Sequence, residues 1–244
     1  PELASLIPEV GRPVLTYGFS PAADVRAENI RQQGLYMHFD LILPNQSVHQ
    51  ASIRLPGQHN VQNALGAAAV AWELGIPASE IVAGLAEFEG IGRRFAAVGA
   101  LTVSSGRVDV FEDYGHHPTE LEATIAAARG AWPERRLVTV FQPHRYSRTH
   151  DLFDEFARVL SATDVLVLTD IYAAGEAPVE GVSAPRLCQA VRTRGRVEPV
   201  YIPAVWDLPS ELPALLHDDD VVLLLGAGDV GQLASHLRRH GWSE

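Results

Sequence analysis

Hydrophobic and polar positions alternate in three early stretches, Val14 to Phe19, Leu35 to Leu43 and Val48 to Leu55, each rich in β-branched and aromatic residues and bounded by turn formers. A period of two predicts strands there. From Asn60 to Leu74 the pattern becomes alanine-rich with apolar residues at helical spacing, and Gly75 and Pro77 close it. That predicts a helix, and a second is expected over Ala78 to Phe88. Glu89 to Arg93, with glycines at Gly90 and Gly92, reads as a hinge, which divides the chain into domains 1–92 and 93–244.

Beyond the hinge, short and nearly continuous apolar runs alternate with amphipathic segments. Strands are predicted at Val108–Glu112, Leu137–Phe141, Val165–Asp170, Val200–Pro203 and Val221–Leu225. Helices are predicted at Pro118–Ala131, Asp151–Leu160, Ala184–Arg194, Leu208–Leu216 and Val230–Arg239. Strands apolar throughout, separated by helices, imply an α/β fold with a mostly parallel, doubly wound sheet covered on both faces. Ligands of such sheets bind beyond the carboxyl ends of the strands.

The polar chemistry collects at those ends. Asp113-Tyr114-Gly115-His116-His117-Pro118 follows the first of these strands and Gln142-Pro143-His144-Arg145-Tyr146-Ser147-Arg148 the second. Ile171 to Glu176 follows the third, and Gly226-Ala227-Gly228-Asp229 the last. Arginine offers a planar fork that matches a carboxylate, and histidine can take a proton from an ammonium near neutral pH. An amino-acid substrate needs both. The plainer alternatives are surface pairing of Arg145 and Arg148 with Asp151, Asp154 or Glu155, and helix capping by His116 or His117 beside Pro118. Asp170 and Glu176 could attract a cation by charge, but no ligand spacing supports them and no metal ligand is assigned.

Composition narrows the field. The chain has 244 residues, 47% hydrophobic, and a net charge of −11, so nucleic acid is disfavoured as a partner and any anion site must be built from local arginines. Cys188 is the only cysteine, which excludes an internal disulfide and fits a reducing compartment. No apolar run reaches the ~20 residues of a membrane span, and the start, PELASLIPEV, lacks the order of a signal peptide. The expected localisation is cytoplasmic. All 19 basic side chains are arginine, so the lysine of a G-x-x-x-x-G-K-[ST] phosphate loop is not in this chain.

DYGHHPTE and FQPHRYSRT resemble the two C-terminal signature segments of the Mur ligases of bacterial cell-wall synthesis, in their alanine-adding branch. LPGQHNVQNALGAAAVA resembles the central-domain segment of the same family, and the run from TYGFS through GAGDVG keeps its order and spacing. The resemblance implies the later part of a central ATP-binding domain followed by a Rossmann-like C-terminal ligase domain. It implies ATP-dependent joining of L-alanine to UDP-N-acetylmuramate through an acyl phosphate. ATP and Mg²⁺ are the expected cofactors, with the phosphate loop and main metal ligands in sequence before Pro1, so this chain alone is expected to turn nothing over.

Carried over position by position, His59, Asn60 and Asn63 match the segment that holds adenine, and Arg94 and Asp113 match positions that reach the nucleotide. Tyr114, His116, His144, Arg145 and Arg148 match the amino-acid pocket, and Ala227 would add backbone contacts. His116, His144 and Arg145 are the candidate catalytic groups; spacing does not say which histidine is the base. For Asn60 the plain reading is helix capping.

Two other readings compete. A muramyl-peptide-recycling ligase would lack the HRYSR string. An oxidoreductase would rest on Gly226-Ala227-Gly228-Asp229-Val230-Gly231, a literal G-x-G-x-x-G after a strand and before a helix, but little chain follows for the rest of a dinucleotide-binding unit. A binding module without catalysis would keep the fold and lose the pocket.

Overall fold

The fold is described from a computed structural model over residues 8–242. The first seven positions, part of the stretch read for a leader, lie outside the described residues. Chain contacts divide the protein into two compact units, Pro1–Glu89 and Gly90–Glu244.

The first unit is a four-stranded sheet, β1 (Tyr17–Gly18), β2 (Val25–Gln33), β3 (Tyr36–Ile42) and β4 (Val48–Ile53), with helices α1 (Gln58–Glu73) and α2 (Ala78–Glu87). Strand order is β1-β2-β3-β4, with β1 parallel to β2 and the other pairs antiparallel. Alternation puts Met37, Phe39 and Leu41 on the buried face with Val25, Ala51 and Ile53, against Val61, Leu65 and Ala68 of α1. Strand β2 was not expected. Past Ala27 its residues are polar apart from Ile30 and mostly exposed, and a bulge between Glu28 and Arg31, with Asn29 at φ 51°, interrupts the alternation.

The second unit contains β5 (Ala96–Val103), β6 (Gly106–Asp113), α3 (Pro118–Ala131), β7 (Leu137–Phe141), α4 (Tyr146–Asp151), α5 (Phe153–Leu160) and β8 (Val165–Leu168). These are followed by α6 (Ala184–Thr193), β9 (Pro199–Tyr201), α7 (Leu208–Glu211), β10 (Val221–Leu225) and α8 (Val230–His240). The sheet order is β5-β6-β10-β7-β8-β9. Only β5 is antiparallel to its neighbour.

Every residue of β7 and β10 is buried, which is what helices on both faces require. On one face Val110, Val140, Val222 and Leu224 pack with Leu233, Ala234 and Leu237 of α8. The opposite face carries Phe141, whose ring stacks on Phe156 of α5 at 5.5 Å. Burial of each such side chain contributes about 1.5–3 kcal/mol.

Three local departures have physical causes. Strand β5, sequence AAVGALTV, has few strand-forming side chains, and a bulge at Gly99 breaks its pairing. The helix expected over Asp151–Leu160 forms as α5 from Phe153, and Leu152 (φ −116°, ψ 26°) separates it from α4, a helix that was not expected. Pro209 and Pro213 break the expected Leu208–Leu216 helix into α7 and flanking 3-10 turns.

Strand β10, late in the chain, inserts between β6 and β7, and its last residue Leu225 registers with both Asp113 and Phe141. The loops after the three strands therefore leave the sheet side by side. A parallel bridge between His144 and Tyr172 continues the β7–β8 pairing past the sheet edge.

Candidate functional site

The loop after β6 is organised by Asp113 and Glu120. Asp113, 7% exposed, accepts backbone hydrogen bonds from Phe95 at 2.9 Å and Gly115 at 2.7 Å. Glu120 accepts from the amides of His116 and His117, and the His117 ring accepts from Thr119 to complete a capping box on α3. His117 is thus a helix cap. Burial opposes the Glu120 charge, but the His116 and His117 amides, His116 and Arg94 together hold its carboxyl below the usual range.

With the backbone so held, Tyr114 meets His116 edge to face at 5.2 Å between centroids, His116 meets His144 at 5.7 Å, and His144 stacks on Tyr172 at 5.3 Å. Three of these four are residues singled out from the sequence; Tyr172 was only part of a strand-end loop there. Arg148 approaches the His144 Nδ1 at 3.4 Å and its carbonyl at 3.3 Å. Arg145 lies 3.6 Å from Glu176, half exposed. Neither arginine takes the alternative surface partners Asp151, Asp154 or Glu155: Arg148 stays on His144 and Arg145 faces Glu176.

Arg145 adopts φ 74°, ψ 136°, a conformation that costs a non-glycine residue about 1–3 kcal/mol. Its surroundings enforce it. Its amide donates to Tyr172 O at 2.8 Å, and its carbonyl accepts from the Thr149 amide and hydroxyl. Glu176 accepts from the Ser147 amide at 3.0 Å and hydroxyl at 2.7 Å, and these bonds, with Arg145 nearby, hold its carboxyl below the usual range. Glu176 is therefore committed to this loop, and Asp170 accepts from the Tyr201 hydroxyl.

The two histidines present different atoms. His116 Nδ1 lies 3.0 Å from Tyr114 O; a carbonyl can only accept, so Nδ1 carries the proton and Nε2 keeps a lone pair. His144 Nδ1 faces a guanidinium, which can only donate, so in the neutral ring its proton sits on Nε2. Burial first, then His116, Arg148 and Arg145, pushes the His144 pKa down, with Glu176 opposing.

A histidine charged less readily in the folded state than in the unfolded one, near 6.5, gives up stability on acidification, because the unfolded chain takes the proton first. The stability lost between about pH 7.5 and pH 5.5 in urea unfolding is expected to be smaller in His144→Asn than in wild type. Equal losses would remove His144 as the cause.

Arg93, next to the singled-out Arg94, was missed as a site residue. Its guanidinium lies 4.5 Å from the Tyr114 ring centroid, donates to Gly226 O at 3.1 Å and sits 4.0 Å from buried Glu112, which also binds Arg238 at 2.5 Å. Arg94, 43% exposed, is 3.8 Å from Glu120 and 4.0 Å from Asp113. Nothing local in the string Arg93-Arg94 distinguishes the two.

The glycine loop has a local explanation. A Cβ at Gly226 would lie 2.8 Å from Gln142 O, at Gly228 2.5 Å from Gln142 Oε1 and 2.7 Å from Tyr172, and at Gly231 2.2 Å from Arg93. The space those glycines leave is filled by the chain's own side chains rather than open for a pyrophosphate. Gln142 Oε1 also accepts from the Val230 amide that starts α8. Ala227 lies in this loop and borders a cavity of about 470 Å³.

In the first unit His59, Asn60 and Asn63 occupy the first turns of α1. Asn60 donates to Pro56 O at 2.8 Å and accepts from Asn63 at 3.4 Å, so it ties down the helix start. His59 and Asn63 are exposed. No described helix is long and apolar enough to cross a membrane. Cys188 is buried, and desolvation pushes its thiol up to about 11, which makes it a poor nucleophile.

Residues 93–228 match the family described as Mur ligase, glutamate ligase domain, and residues 1–71 match the Mur ligase middle domain. The chain is 51% identical over 243 residues to a UDP-N-acetylmuramate–L-alanine ligase of Stenotrophomonas maltophilia and 52% identical to one of Xanthomonas euvesicatoria, covering 99% of this chain and 51% of each relative. It thus spans about half the length of these relatives.

Among solved structures, the UDP-N-acetylmuramate–alanine ligase of Thermotoga maritima superposes with TM-score 0.77 at 22% identity, over 94% of this chain and 48% of that one. A murein peptide ligase of Psychrobacter arcticus gives 0.65 at 21%, over 100% and 49%. These two show a shared fold. With a family match across most of the unit that carries the histidine and arginine loops, the chain belongs to the Mur ligase family.

Proposed function

We propose that this chain forms the amino-acid-binding side, and part of the nucleotide-binding side, of a ligase that joins L-alanine to UDP-N-acetylmuramate at the expense of ATP. The observation that carries the reading is the cluster of Tyr114, His116 and His144, at 5.2 and 5.7 Å between successive rings, with Arg145 at the start of α4 and Arg148 on it. The relatives that share about half this sequence bear that activity in their names.

Alanine arrives as a zwitterion with a carboxylate to hold and an ammonium to deprotonate. Arg145 and Arg148 would take the carboxylate, and binding would exchange the 3.6 Å contact of Arg145 with Glu176 for a substrate partner. Of the two histidines, His116 offers an unprotonated Nε2 to receive the ammonium proton. His144, neutral with its proton on Nε2, would donate a hydrogen bond to developing negative charge. ATP, when bound, supplies the phosphoryl group that turns the lactyl carboxylate into an acyl phosphate open to the freed amine.

For that nucleotide, Asn63 keeps its amide oxygen and one N–H available beside its bond to Asn60, the donor and acceptor that an adenine edge requires. His59 and Asn60 flank Asn63 on the first turn of α1; in the second unit, Arg94 and Asp113 are the residues that would reach a nucleotide. Mg²⁺ and the phosphate-gripping lysine would be held by sequence outside this chain, which has no lysine.

The reading is tested by calorimetric titration of the chain with L-alanine. Binding is expected, and Arg145→Ala should weaken it by about tenfold to a hundredfold, the worth of a charged hydrogen bond. Affinity unchanged by the substitution would overturn it.

A further inference from the structure

The histidine cluster ends on Tyr172, a residue with no part in the chemistry above. Its amide donates to Pro143 O and its carbonyl accepts from the Arg145 amide, both at 2.8 Å, so the backbone that shapes Arg145 also fixes this ring. On one side the ring stacks on His144 with planes 20° apart. At its base it lies so close to Gly228 that a methyl group there would come within 2.7 Å of Cγ.

Tyr172 also lines the cavity of about 470 Å³, together with Arg93, Trp206, Gln232, His236 and Arg239. Of the described residues, Tyr114, His116, His144, Arg145 and Arg148 are not in that lining. Tyr172 touches the cluster and the cavity alike, so it stands between them. The cavity's ionisable lining is arginine and histidine without a carboxylate, in a chain of net charge −11. Trp206 is 53% exposed beside it. An alanine methyl makes no use of such a space, whereas a side chain ending in a carboxylate would find both room and counter-charge.

We propose that Tyr172 is the partition that limits the amino-acid site to a small side chain, closing it from a neighbouring solvent-open pocket whose lining suits acidic side chains. The proposal rests on the alanine-binding reading and deepens it. Attraction for one methyl group discriminates weakly, but a ring in the way excludes larger side chains by overlap, which rises steeply. Cutting the ring back to a methyl group would join the two spaces and open the site toward Arg239 and His236.

The test is calorimetric titration of the 244-residue chain with L-alanine and with L-glutamate. Wild type and Tyr172→Phe are expected to bind L-alanine and exclude L-glutamate. Tyr172→Ala should gain L-glutamate binding by at least about tenfold over wild type. Adding Arg239→Ala should remove that gain and leave L-alanine binding in place. A merely structural role would weaken L-alanine binding and create no affinity for L-glutamate.

Retained L-alanine binding in Tyr172→Ala without a glutamate gain overturns the partition while the alanine reading stands. Absence of L-alanine binding in wild type overturns that reading and the partition with it. If Tyr172→Ala does not fold, Tyr172→Leu is judged by the same pair of ligands.

Discussion

Arg136→Ala is expected to lower the stability of the second unit by about 3–5 kcal/mol, the cost of stranding a buried charge. Arg136 forks onto both carboxylate oxygens of Asp220 at 2.8 and 2.7 Å and donates to Leu215 O at 2.9 Å. Asp220 is 1% exposed and also accepts from the His217 amide at 2.8 Å. This pairing sits where β7 and β10 enter the sheet, so losing it loosens the two strands whose far ends carry the histidine, arginine and glycine loops. Urea unfolding followed by circular dichroism reads the change in midpoint. A double replacement, Arg136→Met with Asp220→Leu, should recover most of the loss, since the damage comes from the unpaired carboxylate. A single mutant within about 1 kcal/mol of wild type, the range of an exposed pair, would refute the assignment.

Gly226→Ala is expected to cost roughly 2–5 kcal/mol, from a strained backbone angle and an overlap that cannot be relieved by rotation. Gly226 has φ 141°, and an added Cβ would lie 2.8 Å from the carbonyl oxygen of Gln142 and 3.1 Å from Val230. Its own carbonyl accepts from Arg93, so any shift there moves the guanidinium that lies against Tyr114. Weakened L-alanine binding should therefore accompany the lost stability, and the Tyr114 ring resonances in NMR spectra should move. Gly84→Ala, on helix α2 with open space around the added methyl group, serves as the control and should be neutral or mildly stabilising. Gly226→Ala with unaltered stability would mean that the loop has room this geometry denies it.

Much of the architecture was legible in the residues because it depends on short-range chemistry. The apolar runs at Leu137–Phe141 and Val221–Leu225 became strands over those same residues, and Pro118 with His117 and Glu120 began α3 where the pattern placed it. The chemistry-bearing loops were visible for the same reason: each follows a recognisable strand, and histidine, arginine and tyrosine advertise what they can bind. Strands β2 and β5 were not legible, since polar side chains in one and alanine and glycine in the other carry little periodic signal, and partners on either side or a helix above hold them in place.

By itself, then, the sequence determined the succession of strands and helices, the absence of a lysine for a phosphate loop, and the residue types at the strand ends. Only the tertiary structure decided which of those residues meet. Insertion of β10 between β6 and β7 brings Gly226 to Asp113 and Gln142, and the paired loops beyond β7 and β8 bring His144 to Tyr172. It also decided that Arg93 rather than Arg94 packs closest to Tyr114, and that three glycines make room for Gln142, Tyr172 and Arg93. The physical reason is range: periodicity and capping act over a few residues, whereas these contacts join positions from about 20 to more than 100 residues apart, and sheet order sets their proximity.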